Sequence, residues 1–176
     1  MAKLKGKSKA KKRKNKQKLK AKRKNSWKKK MLSEIRKRDD PILKKNCEPV
    51  SEGTEDLEYF IKKLVQVLGV STGVGLAAPQ IGYTYRIFAT RPMGKGSPIN
   101  VMINPRILEL GNETDWMKEG CLSFPGVFKD IERYKTIKLE YYDKHFKRYE
   151  KEFEGLEARI IQHEMDHLKG RCIVGE

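Results

Sequence analysis

The chain has 176 residues, enough for one domain with a real core and too few for two. Its formal charge of +17 is unevenly spread: residues 1–30 hold 17 Lys and Arg and no acid, leaving 23 basic residues against 23 acidic ones elsewhere. No apolar stretch approaches the ~18 residues of a membrane span, no apolar run follows the basic start as in a secretory leader, and three scattered cysteines (Cys47, Cys121, Cys172) do not form a disulfide framework.

A reducing cytoplasm is therefore the expected location, with no membrane partner. Residues 1–30 read as a disordered Lys-rich tail, because Leu4, Leu19 and Trp27 are their only sizeable apolar residues and like charges repel. Composition changes abruptly at Met31, which could itself begin a complete domain, and residues 31–176 read as a single compact catalytic unit. Asp39-Asp40-Pro41 and residues 47–53 look like turns and extended chain. Thr54 can cap a helix whose first turn carries Glu55 and Asp56. Leu57, Phe60, Ile61, Leu64, Val65 and Leu68 then fall at helical spacing, and Gly69 ends the run. After GVGLAAPQIG (73–82) come strand-like runs at 85–90, 101–110, 136–142 and 148–153, the last two flanking a hairpin turn at 143–146. A final helix covers about 156–168 and stops near Gly170. Helix, several strands, helix is the order of an α+β fold with an antiparallel sheet, not of parallel βαβ units.

The chemistry concentrates in three blocks. In QHEMDH (162–167), His163 and His167 lie one helical turn apart and can share a metal, with Glu164 placed to reach a coordinated water. Two histidines leave a hydrolytic site short of a third ligand. Only nine residues follow His167, and Cys172 and Glu176 among them lie beyond the helix-ending Gly170, which disfavours an ordinary HExxH protease. Cys121 in EGCLSFPG (119–126), set among Gly, Ser and Pro, is the better candidate. In the third block, Gly73 and Gly75 permit close backbone approach and Gln80 offers an amide donor. The block lacks the Gly-Lys-Ser/Thr ending of a phosphate loop, so nucleotide binding is not expected.

GVGLAAPQ, EGCLS and QHEMDH, in this order, resemble the sequence blocks of the peptide deformylase family. The likeness runs over essentially all of 31–176, from PILKKNCEPV to GLEARIIQHEMDHLKG. It implies a compact α+β domain with antiparallel sheets around a metal-binding C-terminal helix. It also implies removal of formate from the N-formylmethionine that begins nascent chains. By the same resemblance Cys121, His163 and His167 hold one divalent ion with water in the fourth position, and Glu164 is general base and acid. Gln80 and the backbone N–H of Leu122 would face the developing oxyanion. The family implies iron(II), with zinc, nickel or cobalt as other occupants. Val74, Met117, Leu156 and Ile160 match sites lining the methionine pocket, and Gly75 would pair with the substrate backbone. Glu119, Arg133 and Asp166 would support the ligands, with Arg133–Asp166 as an ion pair. Cys47, Cys172 and His145 match nothing catalytic.

Many bacterial members continue past the metal helix with a further helix; this chain stops at Glu176, as short phage-encoded forms do. The basic tail is expected to contact ribosomal RNA in its place. An HExxH endopeptidase, and a nucleic-acid-binding protein using the enzyme domain as scaffold, are the competing readings. The presence of all three ligands together with Glu164 and Gln80 favours the deformylase.

Overall fold

A computed structural model describes residues 2–174, with side chains described from Arg13 onward. Glu176, weighed above as a ligand, and the apolar side chain of Leu4 lie outside the described residues. Three α-helices, α1 (Ala2–Ser33), α2 (Leu57–Val70) and α3 (Gly155–Leu168), surround seven strands. These are β1 (Gly75–Ala77), β2 (Ile87–Thr90), β3 (Asn100–Leu110), β4 (Thr114–Cys121), β5 (Phe124–Tyr134), β6 (Thr136–Tyr142) and β7 (Arg148–Glu154). Every named strand pairing is antiparallel. Five strands form one sheet in the order β1-β2-β3-β6-β7, and β4 and β5 form a separate hairpin.

The sheet lies between α2 and α3, and strand alternation decides which residue meets which helix. Leu76, Ile87, Ala89 and Ile103 share a buried cluster with Phe60, Leu64 and Leu68 of α2. Their neighbours Ala77, Phe88 and Met102 join Leu139 and Phe153 against Ala158, Ile161, Met165 and Leu168 of α3. A smaller cluster of Leu43, Phe124 and Ile173, with Cys121 and Ile131 packed on it, sits under the hairpin tip. Among the described residues, no helix is long and apolar enough to cross a membrane.

The Lys-rich segment runs along α1, and Lys, Arg, Ala and Gln are good helix formers one by one. The side chains from Arg13 to Lys30 are exposed, and among the described residues α1 meets the core through Met31 and Leu32. Thr54 does not cap α2. It accepts the Ser51 N–H in a preceding turn, and Asp56, with a left-handed φ of 59°, occupies the N-cap with no side-chain bond. Val65 is only partly buried, whereas Val67, off the expected stripe, is fully buried. The hairpin β4–β5 is not among the expected strands, and EGCLSFPG forms its tip and flanks.

Candidate metal centre

His163 and His167 project from one face of α3 with ring centroids 5.1 Å apart. The end of β4 brings Cys121 to them, its Sγ 3.2 Å from His167 Nε2. One potential ligand atom from each of the three residues lies within 4.8 Å of the others, a spacing that could hold one metal ion. The donor chemistry fits: a thiolate and two imidazoles suit zinc, iron, nickel or cobalt, and three protein ligands leave a position open for reaction.

The orientation of the His163 ring is fixed from behind. His163 Nδ1 lies 2.9 Å from Glu119 Oε2, which turns Nε2 toward the thiol. Glu119 also accepts from Arg133 Nη2 at 3.0 Å and from Arg159 Nη1 at 2.7 Å. Arg133 continues to Asp166 at 2.5 Å, and Asp166 reaches Arg171 at 2.6 Å. The ion pair expected between Arg133 and Asp166 is thus one link in a longer chain of charges. Arg159 and Asp115 belong to that chain as well, joined at 2.5 Å, and sequence reasoning missed both. Arg159 lies one turn before His163 on α3, but nothing in its spacing distinguishes it from an ordinary surface cation.

Burial and neighbours shift these groups in opposite directions. Burial would raise the Glu119 carboxyl, but hydrogen bonds from His163 and Arg133 outweigh it and hold it at about 2. Burial pushes His167 down to about 3. It also opposes charge on His163, where hydrogen bonds to Cys121 and Glu119 prevail and raise the ring to about 10. Burial pushes Glu164 up to about 7. Its Oε2 is buried with no hydrogen-bond partner among the described residues, a rare state outside functional sites. Gly75 is what makes room for this carboxylate, since a Cβ there would run into it.

A cleft of about 240 Å³ opens onto Cys121, His163 and Glu164, and Val74, Gly75, Met117, Leu122, Leu156 and Ile160 line it. All the residues expected to bind substrate are therefore on one surface. Gln80 lines it too, but its amide is engaged: Oε1 accepts from Ala77 N at 2.8 Å, and Nε2 donates to Cys121 Sγ at 3.4 Å and Ser123 Oγ at 3.2 Å. Leu122 packs over Gly73 at the hairpin tip. Cys172 comes within 3.9 Å of His167, but at Nδ1, the ring nitrogen opposite the one facing Cys121. Cys47 is buried, with its backbone N–H donating to Leu168 O, and His145 lies on the exposed β6–β7 turn; neither belongs to the three-ligand group.

Fold and cluster together fit a metal-dependent hydrolase with a cleft opening onto the ligand group. A family model described as polypeptide deformylase matches residues 32–176. The peptide deformylase of Thermotoga maritima is 44% identical over 135 residues, covering 77% of this chain and 80% of that protein. The crystal structure of the Thermotoga maritima enzyme superposes with a TM-score of 0.74 over 79% of this chain and 92% of that one. A probable peptide deformylase from a Synechococcus phage is 31% identical with a TM-score of 0.72, covering 78% of this chain and 95% of that one. An Acinetobacter baumannii peptide deformylase with Met-Ala-Ser bound is 33% identical with a TM-score of 0.72, covering 78% and 93%. The chain belongs to the peptide deformylase family, metal-dependent hydrolases that remove the formyl group from N-formylmethionyl nascent peptides.

Proposed function

We propose that Cys121, His163 and His167 hold a single iron(II) ion and that this centre hydrolyses the formyl amide of N-formylmethionyl peptides. The observation that carries the assignment is the convergence of the three ligand atoms beside the unpartnered Glu164 carboxylate. When bound, the divalent ion acidifies a coordinated water and polarises the formyl oxygen. Glu164 takes the proton from the attacking water and delivers it to the leaving amine as the C–N bond breaks, giving formate and a free N-terminus. Its position against Gly75, away from bulk water, keeps that proton local. Gln80 Nε2 lies at the cleft floor, where exchanging its Ser123 bond for the formyl oxygen would place a donor on the developing negative charge. The backbone N–H of Leu122 acts as the second donor.

Val74, Met117, Leu156 and Ile160 receive the methionine side chain. β1 is an edge strand of the sheet, so the substrate backbone can pair with Gly75 as an added strand. In function, residues 31–176 act as the catalytic unit, and 1–30 as a basic arm that contacts ribosomal RNA in the cytoplasm. The exposed cations of α1 from Arg13 to Lys30 suit binding of a phosphate backbone without sequence preference.

The test is formate release from formyl-Met-Ala-Ser by protein purified without oxygen and loaded with iron or nickel. Glu164→Gln is expected to keep its metal and lose about 10²–10⁴ in turnover. Cys121→Ala is expected to lose the metal itself; full metal content and turnover in that variant would overturn the ligand assignment. Deleting residues 1–30 is expected to abolish salt-sensitive co-sedimentation with ribosomes, and unchanged sedimentation would remove the arm's role.

A further inference from the structure

Arg91 is among the largest fully buried side chains of the described residues, and the hydrogen bonds of its guanidinium there all go to backbone carbonyls. Nε and Nη2 donate to Gly73 O at 2.9 and 2.7 Å, Nη2 also to Ser71 O at 3.0 Å, and Nη1 to Gly69 O at 3.5 Å. The Arg91 backbone N–H donates to Val74 O at 2.7 Å. One residue just beyond β2 thus gathers the carbonyls of the whole crossing from the end of α2 to the start of β1. A cation suits the place, because the α2 C-terminus carries the negative end of its dipole. Burial lowers the Arg91 pKa, which marks the cost of placing the group here.

The segment so held is the one that ends in the substrate cleft. Gly73 backs onto the Leu122 side chain, Val74 lines the cleft, and Gly75 pairs with Thr90 while lying against Glu164. No apolar anchor fixes this crossing: Thr72 is exposed, residues 73–75 are only partly buried, and Ser71 is occupied with Leu68 O and Gly73 N. We infer that Arg91 is a positioning residue for substrate, holding residues 71–74 so that Val74 and the Gly75 backbone stand where the formyl-methionyl peptide must dock. This role rests on the deformylase reading of the cleft. Arg91 touches neither the metal ligands nor Glu164, so losing it should misplace the substrate while leaving the metal centre assembled.

The experiment compares the native full chain with Arg91→Met and Arg91→Lys, each loaded with nickel, on formyl-Met-Ala-Ser. In Arg91→Met, KM is expected to rise about tenfold or more while kcat changes much less, as displacement of a positioning strand by a fraction of an ångström would do. Metal content should stay at one ion per chain. Calorimetric binding of the product Met-Ala-Ser should weaken in parallel, a readout independent of turnover. Arg91→Lys, which keeps the charge but cannot span three carbonyls, should fall between the two, and it decides the matter if Arg91→Met folds poorly. Adding methylguanidinium to an Arg91→Ala chain should recover part of the lost affinity. Native-like KM and product affinity in Arg91→Lys and Arg91→Met, with only the melting temperature lowered, would overturn the positioning role. Absence of formate release by the native chain would overturn the deformylase reading and this role with it.

Discussion

In the five-stranded sheet, alternate residues of β2 and β3 go to apolar layers on opposite faces, Ile87 and Ile103 toward α2, Phe88 and Met102 toward α3. Along the arms of the β4–β5 hairpin apolar packing is sparse: Val127 and Ile131 lie on the small cluster of Leu43, Phe124 and Ile173, while Trp116, Met117 and Phe128 are exposed among charged residues. The hairpin is fastened to α3 by polar groups. Arg133 and Arg159 converge on Glu119, and the Gln162 amide exchanges two bonds with the backbone of Tyr134, at 2.8 and 3.0 Å. Apolar packing stabilises strongly but fixes direction weakly, whereas a chain of charge-assisted hydrogen bonds sets distances to tenths of an ångström. The division matches the work: the sheet provides stability, and the hairpin must deliver Cys121 to the two histidines of α3.

The largest expected effect tests the polar half of that comparison. Glu119→Ala leaves two buried guanidinium groups and His163 without their shared partner. It should cost about 4 kcal/mol of stability and weaken metal binding about 10–100-fold. Urea unfolding and a metal titration measure the two losses. A stability change as small as that of a surface substitution would show that the hairpin is held by something else. The apolar half is tested by Leu139→Ala in the middle of β6, fully buried against α3. A loss of about 3 kcal/mol is expected there, with metal affinity unchanged. The pair breaks the comparison if Leu139→Ala weakens the metal site as much as Glu119→Ala does.

The same contrast explains what could be read without a structure. The main sheet announces itself through β-branched and aromatic runs, so residues 136–142 were located to the residue and 148–153 to within one. The histidine pair is legible because helical spacing alone puts both rings on one face, and Cys121 stands out among Gly, Ser and Pro. β4 and β5 were missed because TDWMKEGC and FPGVFKDIERY bury only scattered side chains and carry charges where a core strand would carry Val or Ile. For the same reason Glu119 was found only by resemblance, and Arg159 and Arg91 not at all. Their partners are 40 residues away for Arg159 and backbone carbonyls for Arg91, and neither leaves a local pattern.

A smaller effect follows from where Cys121 sits. It belongs to the hairpin, while both histidines belong to α3, so a bound ion ties the two units across the cleft. Chelating the metal should speed amide exchange at residues 118–122 by roughly tenfold or more, with β3 and β6 unaffected. Equal acceleration in both places would mean that the hairpin and sheet open together, and that their separate means of support have no dynamic consequence.

The smallest effect is expected where charges resemble the hairpin network in number but not in setting. Lys138 on β6 reaches Glu150 at 2.8 Å and Glu109 at 3.6 Å, on the outer part of the sheet with all three side chains open to water. Arg159 makes a similar pair of contacts, to Glu119 and Asp115, with 6% of its side chain exposed. Exposed pairs gain little, because water screens them and ordering two long side chains offsets the attraction. Lys138→Ala should therefore leave the urea midpoint within experimental scatter and have no effect on metal affinity or KM, at low salt as at high. If Lys138→Ala lowered the midpoint as far as Arg159→Ala does, counting ion pairs would predict stability as well as burial does. The physical distinction between the hairpin and the sheet would then fail.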